Sequence, residues 1–113
     1  MDHRLDRVNT LLQQELAGAI RETIEFPRGV LVTVSSVDTS RDLGHARIWI
    51  SVLPFEGRFS VIKHLERKRG ALQSILAHTM PLRRIPKLIF TLDERGERAS
   101  AIESILDSIK EET

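Results

Sequence analysis

Between Arg58 and Lys87 the chain places eight cations, Arg58, Lys63, Arg67, Lys68, Arg69, Arg83, Arg84 and Lys87, against a single acid, Glu66. The whole chain is formally only +1, so this is a local concentration. Residues 1–57 carry six basic and eight acidic groups, and residues 88–113 carry three and seven. Clustered Lys and Arg bind phosphate: each phosphate neutralised releases condensed counterions, and affinity then falls steeply with salt. The plainer alternative is a solvated helix surface, which many charge runs are. A net +7 over thirty residues of a near-neutral protein points instead to a polyanion, with RNA or DNA first.

Other chemistries find little support in the residues. There is no cysteine, so disulfides, thiolate metal sites and cysteine nucleophiles are excluded. The four histidines, His3, His45, His64 and His78, form no i,i+4 pair and no short metal-ligand spacing. Glycines occur singly, without a phosphate-cradling loop, and no nucleophile elbow surrounds a serine. No enzyme, cofactor or metal is expected. Aromatics are four Phe, one Trp and no Tyr, fewer than a base-stacking platform wants. Contacts to nucleic acid should therefore be mostly to backbone charge and shape.

The elements that position the cations follow from periodicity. Leu5, Val8, Leu12, Leu16, Ile20 and Ile24 recur at three- and four-residue steps, which predicts a helix over residues 3–25. Asp2 can cap it, and Pro27-Arg28-Gly29 ends it. Arg4 and Arg7 lie near its N-terminus, where the macrodipole disfavours cations, a hint that something else holds them. Val30, Val32 and Val34 alternate as one strand, and Ala46, Ile48, Ile50 and Val52 as a second. The short turn at Ser40-Arg41-Asp42 predicts an antiparallel hairpin, with Pro54 to Gly57 a loop after it.

Phe59, Ile62 and Leu65, then Leu72, Ile75 and Leu76, give two helical faces joined at Gly70, where a kink or break is expected. Pro81 ends the second, and Met80 before it should be extended. Leu88, Phe90 and Leu92 alternate as a third strand opened by Pro86. Ala99, Ile102, Ile105, Leu106 and Ile109 form a last helical stripe in an acidic context. The division expected is a domain over residues 1–95 and an acidic helix or tail over 96–113, packed on it or extending from it. The first residues lack a signal peptide's apolar core and no run reaches transmembrane length, so a soluble cytoplasmic protein is expected.

The order helix–strand–strand–helix–helix–strand–helix makes a two-layer α+β domain, a three-stranded sheet packed by helices. It matches the bacterial, type II K-homology fold. Such domains grip phosphates with a GxxG loop between two helices. This chain has no GxxG, and Arg67-Lys68-Arg69-Gly70 stands in its place. The helix start after the kink offers unpaired N–H donors to an anion.

Four segments, in order, resemble the ribosome-binding factor A family over Arg4 to about Asp93. Arg4-Leu5-Asp6-Arg7-Val8-Asn9 with Gln14-Glu15-Leu16 is similar to its opening helix, and Val32-Thr33-Val34 followed by Val37 to its first strand. Asp42-Leu43-Gly44-His45-Ala46-Arg47-Ile48-Trp49-Ile50-Ser51-Val52-Leu53 resembles its strongest motif. Leu82-Arg83-Arg84-Ile85-Pro86-Lys87-Leu88-Ile89-Phe90 resembles its Arg-x-x-Pro-x-Leu-x-Phe signature. Two positions depart: Lys68 stands where the family has a small residue, and Phe26 where it has Asp before the proline.

The resemblance implies a bacterial, non-catalytic factor that binds the immature small ribosomal subunit and its rRNA. It implies a role in late maturation and rRNA 5′-end processing, and in growth at low temperature. On this reading Arg58, Lys63, Arg67, Lys68, Arg69, Arg83, Arg84 and Lys87 contact RNA, Gly70 permits the bend, and Arg4, Arg7, His45 and Arg47 are accessory. A monomer is expected. The rival reading is a protein–protein adaptor of the same fold acting through its acidic C-terminal helix.

Overall fold

Leu12, Leu16 and Ile20 recur at four-residue steps and are buried along one side of α1 (His3–Thr23) in the computed structural model. The structure describes residues 3–112; Asp2, expected to cap this helix, lies outside them. After α1 the Ile24 N–H still donates to Ile20 O at 2.9 Å, and the Val30 N–H closes a turn on Pro27 O at 3.1 Å. Gly29 within that turn has φ 88°, a conformation glycine adopts without steric cost.

The hairpin expected from the two alternating runs is present. β1 (Leu31–Thr39) pairs antiparallel with β2 (His45–Leu53), and β3 (Lys87–Leu92) adds parallel to β2, in the order β1-β2-β3. β2 alternates without interruption: Ala46, Ile48, Ile50 and Val52 are buried under the helices. β1 does not. Its register shifts between Val34 and Ser36, leaving Ser35 as the extra residue of a bulge. The inward positions therefore change parity, and Val34, Val37 and Thr39 are the buried ones. Gln13 of α1 holds the bulge by donating Nε2 to Val34 O at 3.0 Å and Ser35 O at 3.3 Å.

α1, α2 (Arg58–Arg67) and α3 (Arg69–Thr79) form the second layer on one face of the sheet. Val61 and Leu65 of α2 and Leu72 and Leu76 of α3 join Leu88 and Phe90 in the core. Burying each large aliphatic contributes about 1.5–3 kcal/mol. The expected loop before α2 is a short 3-10 turn, Phe55–Gly57. Met80 is extended, with φ −104° and ψ 139°, as its place before Pro81 requires.

The break between α2 and α3 falls at Lys68 and not at Gly70. Lys68, at φ −94° and ψ 3°, donates its N–H to His64 O (3.2 Å) and Leu65 O (3.1 Å), while its own carbonyl accepts from Leu72 N (2.9 Å). That conformation is open to any L-residue, so no glycine is needed. Gly70 sits in the first turn of α3, and a Cβ there would meet nothing within 4 Å. Gly70→Ala is thus expected to stabilise the protein by about 0.5–1 kcal/mol in urea unfolding.

α4 (Arg95–Glu112) follows β3 after two residues and is exposed along the residues whose burial is described. It extends from the sheet, and the molecule measures 60 × 39 × 17 Å. Its start is pinned by Asp93. Oδ1 accepts from Arg95 N (3.1 Å) and Nε (2.9 Å), and Oδ2 from Arg95 Nη2 (2.8 Å) and the bulge residue's Ser35 Oγ (2.7 Å). The Arg95 guanidinium, then the Ser35 hydroxyl, hold the Asp93 carboxyl well below the usual carboxylate range. A depressed folded pKa means stabilisation that is complete above the unfolded value near 4 and lost as pH falls through the folded one. Asp93→Asn should therefore cost about 1–2 kcal/mol at pH 7, the exposed Arg95 weakening the pair. It should also flatten stability against pH below about 4.

Candidate nucleic-acid interface

Three contacts draw several elements to one end of the sheet. The Lys87 N–H donates to Gly44 O at 3.0 Å, tying the start of β3 to the β1–β2 turn. Arg69 Nε donates to Leu88 O at 2.9 Å, tying the start of α3 to the same place. The Thr39 N–H donates to Asn9 Oδ1 at 2.9 Å and anchors the N-terminal half of α1 there. The α2–α3 break, the β1–β2 turn, the start of β3 and the beginning of α1 thus share one end.

Cations converge with them. Lys63 and Arg67 lie four residues apart on α2, hence on one side of it, and with Lys68 they are exposed. Lys87 is exposed beside His45, its register partner on β2. Arg83 and Arg84 line a cleft with Arg4, Asp42, Leu43 and Leu82, so α1's first turn joins the basic end. Arg7, one turn on, faces a different hollow beside His3, Asp6 and Gln14. Arg47 is exposed on the sheet face away from the helices. No side chain caps the first turn of α3, which leaves the donors of a helix start beside Lys68.

Two of the eight cations serve the fold. The Arg58 guanidinium lies 3.9 Å from the Phe55 ring centroid and 4.4 Å from that of Phe59, and Nη1 donates to Phe55 O at 3.0 Å. Arg69, half-buried, adds a contact over Phe90 at 5.7 Å to its bond with Leu88 O. Phe55 and Phe59 on either side of Arg58 are a local signal of its role; nothing near Arg69 in the chain marks its own.

Beside the exposed Glu66 of α2, Asp42 is a second acid within the basic end. Its Oδ1 accepts from the Gly44 N–H (2.9 Å) and Ser40 Oγ (2.7 Å), and these bonds, Gly44's first, hold its carboxyl below the usual range. The bonds shape the turn, in which Leu43 takes φ 58° and half-buries itself against the arginine cleft. Phe26 packs against the core and meets His64 edge-on, ring centroids 6.0 Å apart. Among the described residues no group of three or more His, Cys, Asp or Glu could hold a metal, and no helix is long and apolar enough to cross a membrane.

A three-stranded mixed sheet with helices on one face, and a basic interruption between two helices where a glycine loop would stand, defines a K-homology-like α+β domain. The chain belongs to the ribosome-binding factor A family, whose profile matches residues 4–106. It is 43% identical over 107 residues to ribosome-binding factor A of Chromohalobacter salexigens, covering 92% of this chain and 82% of that one. The crystal structure of ribosome-binding factor A from Thermus thermophilus superposes with a TM-score of 0.68 at 28% identity, over 78% of this chain and 93% of that chain. A Thermus thermophilus model fitted into the cryo-EM map of a 30S complex with ribosome-binding factor A gives 0.64 at 29%, over 75% and 90%.

Proposed function

We propose that this protein is a non-catalytic assembly factor that binds the immature small ribosomal subunit through its rRNA. The observation carrying the reading is the basic end of the domain, where Lys63, Arg67 and Lys68 at the break stand with Lys87, Arg83, Arg84 and Arg4 around the start of β3. Charge and a helix start bind phosphate with little base discrimination, which suits a folded RNA. The Thermus relative fitted into a 30S map supports the same partner. Roles in late maturation, rRNA 5′-end processing and growth at low temperature, in the cytoplasm, follow the family resemblance. Co-sedimentation with immature and mature small subunits tests the reading. Association is expected to favour the immature particle and to fall steeply with salt; equal association with both, insensitive to salt, would refute it.

A second reading has its own observation. Ile102, Ile105, Leu106 and Ile109 of α4 are 53–61% exposed on a helix with acidic neighbours Glu103 and Asp107. As an adaptor the protein would present this stripe to a basic partner. Ile105→Glu with Ile109→Glu would then abolish particle association, whereas on the RNA reading the same change leaves most of it.

A further inference from the structure

The sheet face turned away from the helices carries His45, Arg47, Trp49 and Ser51 along β2, because Ala46, Ile48, Ile50 and Val52 are buried on the other side. In the parallel register Lys87 stands beside His45 and Thr91 beside Trp49; on β1, Ser36 stands beside Trp49 and Asp38 beside Arg47. Trp49 is the one tryptophan of the chain and is half-buried. The Arg47 guanidinium lies 5.8 Å from its ring centroid. The first turn of α4 rises next to it, and a cleft opens between Ser36, Trp49, Leu92, Arg95 and Arg98.

Charge separates this face into two parts. In the cleft the ions cancel: Arg95 pairs with Asp93 at 2.8 Å and Arg98 with Glu94 at 3.7 Å. An uncharged planar group fits there better than a phosphate, with the indole as its stacking partner. Towards the other end His45, Arg47 and Lys87 are exposed, three basic side chains with Asp38 beside Arg47 and Asp42 near His45. From His45 to Trp49 the strand spans about 13 Å. A ring at one end and cations towards the other are the parts a single strand needs, a base on the aromatic and phosphates on the charges. A duplex keeps its bases paired and cannot supply the stacked one.

We propose that this open face is a second RNA contact, selective for single strands: an unpaired base stacks on Trp49 beside α4, and its backbone runs past Arg47 to His45 and Lys87. Lys87 borders both this face and the basic end, so the strand would continue from one surface to the other. The scarcity of aromatics argues against a platform for several bases; one ring suffices for one base.

Trp49 alone supplies the protein's tryptophan emission, so full-length protein reports on the site without a label. Titration with an eight-residue oligoadenylate or oligouridylate single strand is expected to quench the emission to saturation, while an RNA duplex of equal length leaves it nearly unchanged. By anisotropy of a labelled single strand, Trp49→Leu should bind about tenfold more weakly and Trp49→Phe should keep most of the affinity. Arg47→Gln should reduce the salt slope by about one. Emission unchanged where anisotropy shows the strand bound would overturn the proposal, as would wild-type affinity in Trp49→Leu. An indole already shielded from acrylamide before RNA is added would overturn it too, since α4 would then occupy the site. Loss of small-subunit binding on replacing Lys63, Arg67 and Lys68, with Trp49 silent, sinks this proposal and leaves the basic end standing; Trp49 quenched, with those cations indifferent, does the reverse.

Discussion

Replacing Lys63, Arg67 and Lys68 together by Gln is expected to weaken binding to the immature small subunit on the order of 10- to 100-fold at physiological salt. Each phosphate contact contributes about 0.9 to the slope of log affinity against log salt, or about 0.7 log units at 0.15 M. Removing three such phosphate pairings should flatten that slope by about 2–3 and cost roughly two orders of magnitude at most. All three side chains are exposed, so thermal melting should stay within about 0.5 kcal/mol of the parent. Binding isotherms at four or more salt concentrations measure both quantities. An unchanged affinity and slope would remove these residues from the interface.

Arg69→Ala should show the opposite profile, a large loss of stability. The change deletes a charged donor to Leu88 O, at 2.9 Å, and the stacking of a half-buried guanidinium over Phe90. A hydrogen bond from a charged group contributes about 1.5–3 kcal/mol and the cation–π contact about 0.5–1, so a cost near 2–3 kcal/mol is expected in urea unfolding. Arg69→Lys should rescue little, because an ammonium provides neither the Nε donor nor the planar face. If Arg69→Ala melts like the parent and loses RNA affinity instead, Arg69 belongs to the interface and not to the fold. The pair of experiments separates two adjacent cations that charge alone makes equivalent.

That equivalence marks where the chain's own pattern stops being informative. α1, β2 and β3 are legible because their apolar residues repeat at the period of one element and every inward position obeys it. β1 is not fully legible: Val34-Ser35-Ser36-Val37 fits no single alternation, and the bulge that resolves it depends on Gln13 and Asp93, both distant in sequence. Conformational freedom alone points to Gly70 as the helix break, but Lys68 turns the chain in a conformation that needs no glycine. In the candidate interface, local charge density marks the thirty residues from Arg58 to Lys87. It does not show that Arg58 and Arg69 are committed to aromatic and backbone partners, or that Arg4 joins Arg83 and Arg84 from the far end of the chain. The Arg69 and Arg4 facts are made by tertiary contact, which periodicity and composition do not record, whereas Arg58's aromatic partners are its neighbours in the chain.

The carboxylate of Asp93 gives α4 the mechanics of a lever. Eighteen residues make an arm of about 27 Å, with its fulcrum at Asp93 and the apolar stripe along its outer half. On an arm of that length a tilt of about 15° carries the tip about 7 Å. The same carboxylate grips Ser35, whose hydroxyl also lies 3.2 Å from the Trp49 carbonyl, and Ser35's own carbonyl is held by Gln13. Asp93 therefore joins the inner end of this arm to the register shift of β1 and, through the Ser35 hydroxyl, to the backbone of Trp49 beside the open face.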